Sequence, residues 1–526
     1  MNQKLTGSFY TPEELVGYMV DYARQKMRID SVLEPSAGDG RFIRYLSDFG
    51  LKIDAIEIDR EKVSALKEGY PNKVALICDD YINYSLNNSK KYDLIIGNPP
   101  YISKKSMSDE KRNLSCALIE YFQLPEALFQ NLWVSFILGS VKMLNPNGAI
   151  FFVLPFEFLQ VQYAEKLRGF LETKFNTIEI ITFEEKVFED IEQDVCLVYM
   201  SNEYHAKPYV KYTTVQNVKN MNVIFESVIM RNKPLKKWSN CILNDIETES
   251  LKRIATQFPL IKDFGEISPG IVTGANSFFI LNHKQLNITS ESHLVPIIHK
   301  SSDLNGKLIL TKEAFNEISK TNNTFLLNLN QLPESEFSSE LKEYLQLGEK
   351  EKIHERYKCS SRKRWYDVPI VKSGDLCFFK RFNTLPRLLV NEPNIHTTDI
   401  SYNIRLNNKY DKYSFAFCFY NSLTLALCEY NGRFYGGGVG ELVPSEFKNT
   451  HIPYKEISVD KIVKLNSMFL KKESYTQIID FVDSEVLALP EDQLEMLKEI
   501  RNKYLRRRLK KTDEVLLKEA IVNGGK

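Results

Sequence analysis

Short β-branched runs alternate with longer amphipathic stretches through the first 200 residues of the chain. The runs Ser31–Leu33, Ile53–Glu57, Val74–Ile77, Tyr92–Ile96 and Ala149–Leu154 predict strands, and Thr177–Thr182 and Val195–Met200 follow them. Between these runs, Glu13–Met27, Gly40–Asp48, Arg60–Lys67, Pro125–Leu144 and Tyr163–Phe175 carry apolar positions at helical spacing. Such an alternation builds a mostly parallel sheet covered on both faces, the doubly wound α/β architecture. An acidic loop rather than a helix joins the last two strands, which predicts an antiparallel edge. Ligands of open sheets bind beyond the carboxyl ends of the strands, and the unusual residues of this chain fall there.

Beyond about residue 240 the rhythm changes to strand-like runs separated by Gly, Pro and Asn turns, with helices expected at 339–347 and from about 456 onward. The most apolar stretch, Ala127–Leu159, is interrupted by Lys142 and by Asn145-Pro146-Asn147-Gly148. It therefore reads as helix, turn and strand, not as a membrane span. The N-terminal MNQKLTGSFYTPEE has no apolar core of a secretory signal.

A length of 526 residues suggests two to four domains. With 43% hydrophobic and 26% charged residues, the chain has the composition of a globular protein. The net charge of +1 says nothing of a polyanionic partner, but its distribution does. Residues 1–210 hold 23 Lys+Arg against 30 Asp+Glu, and the remainder 46 against 38. Much of the basic excess lies at 350–410 and after Arg501. Eight cysteines without CxxC pairs or Cys/His clusters make neither a disulfide framework nor a zinc site, and no metal is expected. They read as buried thiols of a cytoplasmic protein.

Candidate chemistry sits at successive strand ends. Glu34-Pro35-Ser36-Ala37-Gly38-Asp39-Gly40 follows the first strand and precedes a helix. Its glycines let a ligand approach the backbone, although a tight turn alone would need the same residues. Glu57, in Ile56-Glu57-Ile58-Asp59, ends the second strand about 20 residues later, the spacing at which an acid reaches ribose hydroxyls. Asp80-Tyr81 closes the third, offering a carboxylate to an exocyclic amine and a ring for stacking. The fourth strand ends in Gly97-Asn98-Pro99-Pro100-Tyr101, where two prolines stiffen the chain and remove two donors.

This ordered series resembles the S-adenosylmethionine-dependent adenine-N6 DNA methyltransferases of the gamma arrangement, in which cofactor motifs precede an Asn-Pro-Pro-Tyr motif and a DNA-reading domain comes last. The resemblance covers about the first 200 residues closely. It implies that Tyr10 and Thr11, in Tyr10-Thr11-Pro12, contact the cofactor's carboxylate and that Glu34, Pro35, Ser36, Ala37, Gly38 and Gly40 form the methionine-binding turn. Glu57 would bind ribose, Ile58 would lie against the cofactor, and Asp80 with Tyr81 would contact the cofactor's adenine. Asn98, Pro99, Pro100 and Tyr101 are the implied catalytic residues, with Asn98 also beside the cofactor. Phe136, in Asn131-Leu132-Trp133-Val134-Ser135-Phe136, would flank the cofactor, and Phe188 would join Tyr101 in holding an extruded base.

The segment Ile102–Asn113, with Lys104 and Lys105, reads as a mobile basic loop that either grips phosphates or is simply solvated. In the second half, Gly270-Ile271-Val272-Thr273-Gly274-Ala275-Asn276-Ser277-Phe278-Phe279 resembles a segment that opens recognition domains of these enzymes. Arg362, Arg364 and Trp365, within Arg362-Lys363-Arg364-Trp365-Tyr366, combine cations with aromatics suited to DNA. Arg433, in Asn431-Gly432-Arg433-Phe434-Tyr435-Gly436-Gly437-Gly438, either meets the DNA backbone or sits in a packed turn needing positive φ. Pro490–Lys511 reads as a helix whose Arg506-Arg507-Arg508 lies on a solvated face or touches DNA.

The expected fold is therefore a doubly wound, mostly parallel seven-stranded methyltransferase sheet with a C-terminal mixed α+β DNA-recognition domain. The expected boundaries are 1–235 for the S-adenosylmethionine-binding catalytic domain, 236–455 for target recognition and 456–526 for a helical segment. The expected activity is methylation of a flipped-out adenine in double-stranded DNA, as the modification enzyme of a restriction system with a separately encoded cognate endonuclease and no membrane partner. A fused restriction–modification enzyme is the alternative, although cofactor motifs starting about ten residues from Met1 leave no room for a preceding nuclease. Methylation of RNA or of a protein glutamine is the other, because the Asn-Pro-Pro-Tyr element is shared with such enzymes.

Overall fold

The computed structural model describes residues 10–70, 74–188, 193–202, 207–304 and 306–510. The chain divides into two compact units, Met1–Ile246 with Tyr435–Gly437, and Glu247–Phe434 with Gly438–Lys526. The expected boundary at 235 falls earlier than this division. Trp238, fully buried, donates its indole N–H to Glu172 at 2.6 Å and so fastens the residues after 235 to the first unit.

The first unit opens with α1 (Glu13–Lys26), β1 (Ser31–Glu34), α2 (Arg41–Leu46) and β2 (Lys52–Glu57). Next come α3 (Arg60–Gly69), β3 (Val74–Cys78), α4 (Tyr81–Asn87) and β4 (Tyr92–Gly97). Helices α5 (Asp109–Tyr121) and α6 (Trp133–Met143) lead to β5 (Leu144–Pro155), and α7 (Glu165–Lys174) to β6 (Thr177–Phe183). Strands β7 (Val195–Ser201), β8 (Tyr209–Val215) and β9 (Val223–Met230) complete it.

All these strands form one sheet in the order β3-β2-β1-β4-β5-β7-β6-β8-β9. It has nine strands rather than the expected seven. The two extra strands were hidden because they bury one face only: in β8 and β9 buried positions alternate with more exposed ones, so neither shows a continuous apolar run. The strand expected at an antiparallel edge, β7, runs against both β5 and β6 but lies between them, and the antiparallel edge is formed instead by β9 on β8. Strands β6 and β7, by contrast, are buried at every position, and β7 spells the unbroken apolar run Val195–Met200.

Helix α1 lays Leu15, Val16, Met19, Val20 and Ala23 on one face of the sheet, against Val32, Leu94, Ile96, Phe151 and Val153. Its Tyr22 and Lys26 reach the buried Glu179 of β6 at 2.6 and 2.9 Å, giving that carboxylate partners inside the fold. Helices α4 and α6 pack closely because Gly139 leaves room: a Cβ there would lie 2.9 Å from Ser85 Oγ.

The second unit is mixed. Its five-stranded sheet runs Gly265–Pro269, Ser401–Leu406, Leu376–Phe379, Arg387–Asn391, Ile309–Leu310, and sheets of four and three strands accompany it. Helices Lys412–Phe419 and Ser422–Asn431 are almost wholly buried, and Val459–Leu470, Tyr475–Val486 and Glu491–Leu509 follow. The solvated face expected for Arg506-Arg507-Arg508 is not found, because Arg507 and Arg508 are buried. Arg508 meets Glu429 through two bonds of 2.9 and 2.7 Å and donates to Gly438 O at 2.7 Å. Gly437 and Gly438 have φ of +76° and +75°, the packed-turn alternative for the glycine cluster. Among the described residues no helix is long and apolar enough to cross a membrane.

Candidate active site

Four strand ends converge on one cavity of about 650 Å³. The turn after β1 forms its floor through Glu34, Pro35, Ser36, Ala37 and Gly38. Gly38 has φ +57°, a conformation that disfavours side chains, and its N–H donates to Glu57 Oε2 at 2.8 Å. Glu57 Oε1 accepts from Asp59 N at 2.9 Å, so one buried carboxylate ties the first turn to the second.

Glu34 is the most unusual group. Its side chain is buried, Oε2 has no hydrogen-bond partner among the described residues, and the residue lines the cavity. Burial, followed by the charges of Asp39 and Glu57, holds its carboxyl well above the usual carboxylate range. A buried acceptor without a donor costs free energy unless a ligand supplies one.

At the third strand end, Asp80 caps α4 by accepting from Ile82 N at 2.8 Å, and its other oxygen lies 3.0 Å from Lys111 Nζ. Tyr81 lies beside Phe136, ring centroids 4.8 Å apart, with its hydroxyl 2.8 Å from Ser140 Oγ. Ile58, which is 59% exposed, offers an apolar surface on the same cavity.

At the fourth, Asn98 lines the cavity and donates from Nδ2 to Thr11 Oγ1 at 3.2 Å. Its backbone carbonyl accepts from Ser36 Oγ at 3.2 Å, joining this strand end to the first. Tyr10, Thr11 and Pro100 also line the cavity. Gly40, Pro99, Tyr101 and Phe188 do not. Gly40 has φ +81°, and a Cβ there would lie 2.4 Å from Leu66 Cδ2 of α3. Tyr101 and Phe188 pack on the apolar cluster under α1, and the Tyr101 hydroxyl donates to Val153 O at 3.1 Å.

The expected mobile loop Ile102–Asn113 is instead fastened. Leu132 N donates to Ile102 O and Lys104 N to Gln130 O, both at 2.9 Å, and helix α5 begins at Asp109. Ser108 accepts from Lys111 N, and Asp109 and Glu110 occupy the first turn, a helix start that the serine-rich spelling concealed. Sequence reading missed Lys111, Arg41 and Asp79 on the cavity wall. Lys111 carried a signal only as one charge of a basic run.

A family model described as Eco57I restriction-modification methylase matches residues 44–188. A second, the C-terminal domain of Type II methyltransferase M.Eco57I, matches 235–487. Residues 44–188 and 235–487 thus match the two parts of an Eco57I-type restriction–modification methylase. As such a methylase it is an S-adenosylmethionine-dependent methyltransferase of the restriction–modification type. It is similar to Type II methyltransferase M.AccI of Acinetobacter calcoaceticus, 27% identical over 475 residues that span 85% of each chain. To M.HincII of Haemophilus influenzae it is 30% identical over 230 residues, 41% of this chain and 39% of that one. The fold resembles that of the restriction–modification enzyme MmeI in complex with DNA, with a TM-score of 0.55 at 13% identity, covering 94% of this chain and 75% of that one.

The methylase's second unit treats the expected DNA-binding cations differently from one another. Arg362 donates to Val272 O and Thr273 O at 2.9 and 2.7 Å. Arg364 is held by Asp367 at 2.9 and 2.8 Å and by Leu332 O and Leu329 O at 2.8 and 2.7 Å. Arg433 pairs with Glu446 at 2.6 Å. These three guanidinium groups are engaged by their own chain, and Trp365 packs on Phe278. In the first unit, Lys104 pairs with Glu126 at 2.8 Å while Lys105 is exposed.

Proposed function

We propose that this methylase transfers a methyl group to the N6 amine of an adenine flipped out of double-stranded DNA, as the sequence-specific modification enzyme of a restriction system. The observation that carries the reading is the placement of Asn98. It lies on the wall of the cavity that holds Glu34, Glu57 and Asp80, with its amide fixed by Thr11.

The cavity suits S-adenosylmethionine on its own chemistry. The partnerless Glu34 Oε2 matches the ammonium of a methionine moiety, and the left-handed Gly38 leaves the turn open to close approach. Each Glu57 oxygen keeps a further lone pair for ribose hydroxyls, and Asp80 and Ile58 suit the amine and the face of an adenine. When bound, the cofactor supplies an electrophilic methyl on a sulfonium.

What remains for the protein is to make an aromatic amine nucleophilic. The lone pair of that nitrogen is delocalised into the ring. The Asn98 carboxamide oxygen and the Pro99 carbonyl accept its two hydrogens, drawing the nitrogen towards tetrahedral geometry. Two prolines hold the carbonyl rigid, so alignment rather than acid–base chemistry lowers the barrier. Tyr101 and Phe188, on one apolar cluster, supply aromatic faces for the base.

Tritium transfer from labelled cofactor to duplex DNA, structured RNA and protein, offered in parallel, tests the proposal. Label in duplex DNA, released as N6-methyladenine on digestion, is expected. Label in RNA or protein alone overturns it. A separately encoded endonuclease is the proposed partner, so plasmid incubated with the chain and magnesium is expected to stay intact.

A further inference from the structure

From Arg356 to Tyr366 the chain carries five cations and no acid. Arg362 and Arg364 are the two whose guanidinium groups bind carbonyls and Asp367 of their own unit. The other three, Arg356, Lys358 and Lys363, are exposed. Among the described residues their side chains make no hydrogen bond or ion pair, and the neighbouring Glu355 lies nearest to Lys352, at 3.8 Å. Between Arg356 and Lys358 stands Tyr357, 80% exposed, more than any other large apolar side chain described. Lys358 Nζ lies 5.1 Å from its ring centroid.

This display is backed by a rigid support. Tyr357–Ser360 is a single helical turn whose Cys359 is fully buried. Gly274, at φ +83°, passes directly behind it: a Cβ there would lie 2.9 Å from Lys358 Cβ and 3.1 Å from Cys359 Sγ. Arg362 clamps the same segment through Val272 O and Thr273 O, and Trp365 packs on Phe278 at 5.5 Å. The segment Gly270–Phe279 therefore serves as a buttress, and Arg362 is its bolt.

We infer that Arg356, Tyr357, Lys358 and Lys363 form a contact surface for duplex DNA on the second unit, the cations on phosphates and the Tyr357 ring stacked on a base or sugar. The inference rests on the proposed function and adds the surface that engages the duplex. Its chemistry is complementary: cations without internal partners neutralise phosphates, and the exposed ring beside them offers an apolar face to a sugar or an unstacked base.

The test uses the full chain and a short mixed-sequence duplex, with affinity followed by fluorescence anisotropy over a series of salt concentrations. Each phosphate contact contributes about 0.9 to the slope of log affinity against log salt. R356A/K358A is expected to flatten the slope by about 1.8. Tyr357→Ala is expected to weaken binding about tenfold with the slope unchanged, in line with a lost stack. Melting temperature and cooperativity of unfolding, unchanged in both variants, show that the second unit is folded. Variants that match the wild type in slope and affinity overturn this inference alone, provided the wild type methylates duplex DNA. A wild type that neither binds nor methylates duplex overturns the proposed function and this inference together.

Discussion

The strand-end cavity of the first unit and the cation-rich segment of the second use polar groups in opposite ways. Around the cavity, strand ends leave valences open: Glu34 Oε2 is buried without a donor. At Arg362–Asp367 the valences are closed, each guanidinium chelated by carbonyls or a carboxylate a few residues or one strand away. An open valence in a buried place is a demand for a ligand, whereas a closed one is architecture. Both look alike in a sequence, and only the second contributes to stability in the absence of ligand.

Substitutions on the two sides should therefore separate activity from stability. Asn98→Ala has the largest expected effect on the open side: methyl transfer falls by at least about 10²–10³-fold, by analogy with loss of one preorganised polar group. Cofactor affinity and melting temperature stay near wild type, and substantial residual turnover would break the contrast. Arg508→Ala is its counterpart on the closed side. It leaves Glu429 buried and unpaired, at a cost of about 3–5 kcal/mol read by denaturant unfolding.

Asp483 sharpens the contrast through pH. Burial pushes its carboxyl up to about 6 from the ordinary 3.8, against the opposing bond from Ser422 N. Folded and unfolded forms are both protonated below the ordinary value, and ionisation penalises only the folded one. Stability is thus fullest below about pH 4 and falls as pH rises to about 6, by about 3 kcal/mol for this group. Asp483→Asn should remove that fall, seen as a flatter melting-temperature profile over the same window.

The smallest effect belongs to Glu34. Its raised carboxyl must ionise to meet an ammonium, so cofactor binding should release a proton and weaken as pH falls. Calorimetry in two buffers of different ionisation enthalpy would show the release, and Glu34→Gln would abolish it.

The same distinction explains what could be read from the sequence. Strands β1 to β7 were legible because their β-branched runs alternate with helical stretches or end in an acidic loop, and the acids at their ends because topology alone puts them on one rim. Strands β8 and β9 escaped because one-faced burial dilutes the signal. Helix α5 was concealed by its capping Ser108 and the acidic turn after it, inside what looked like a polar loop. What Arg362, Arg364 and Arg433 bond to inside the fold was not legible, because whether a cation faces water depends on carbonyls brought from elsewhere, such as Thr273 and Leu329. Tyr357 had no periodic signal, since a single helical turn is too short to carry one.

The second glycine of the turn after β1 carries a warning for anyone mapping this enzyme by mutagenesis. Gly40 is missing from the cavity wall, and a methyl group there would collide with Leu66 of α3. A replacement at Gly40 that loosens the hold on the cofactor would do so at second hand, by levering a helix away from the sheet, and would be mistaken for a lost contact. Gly38, two residues earlier, lies on the wall itself.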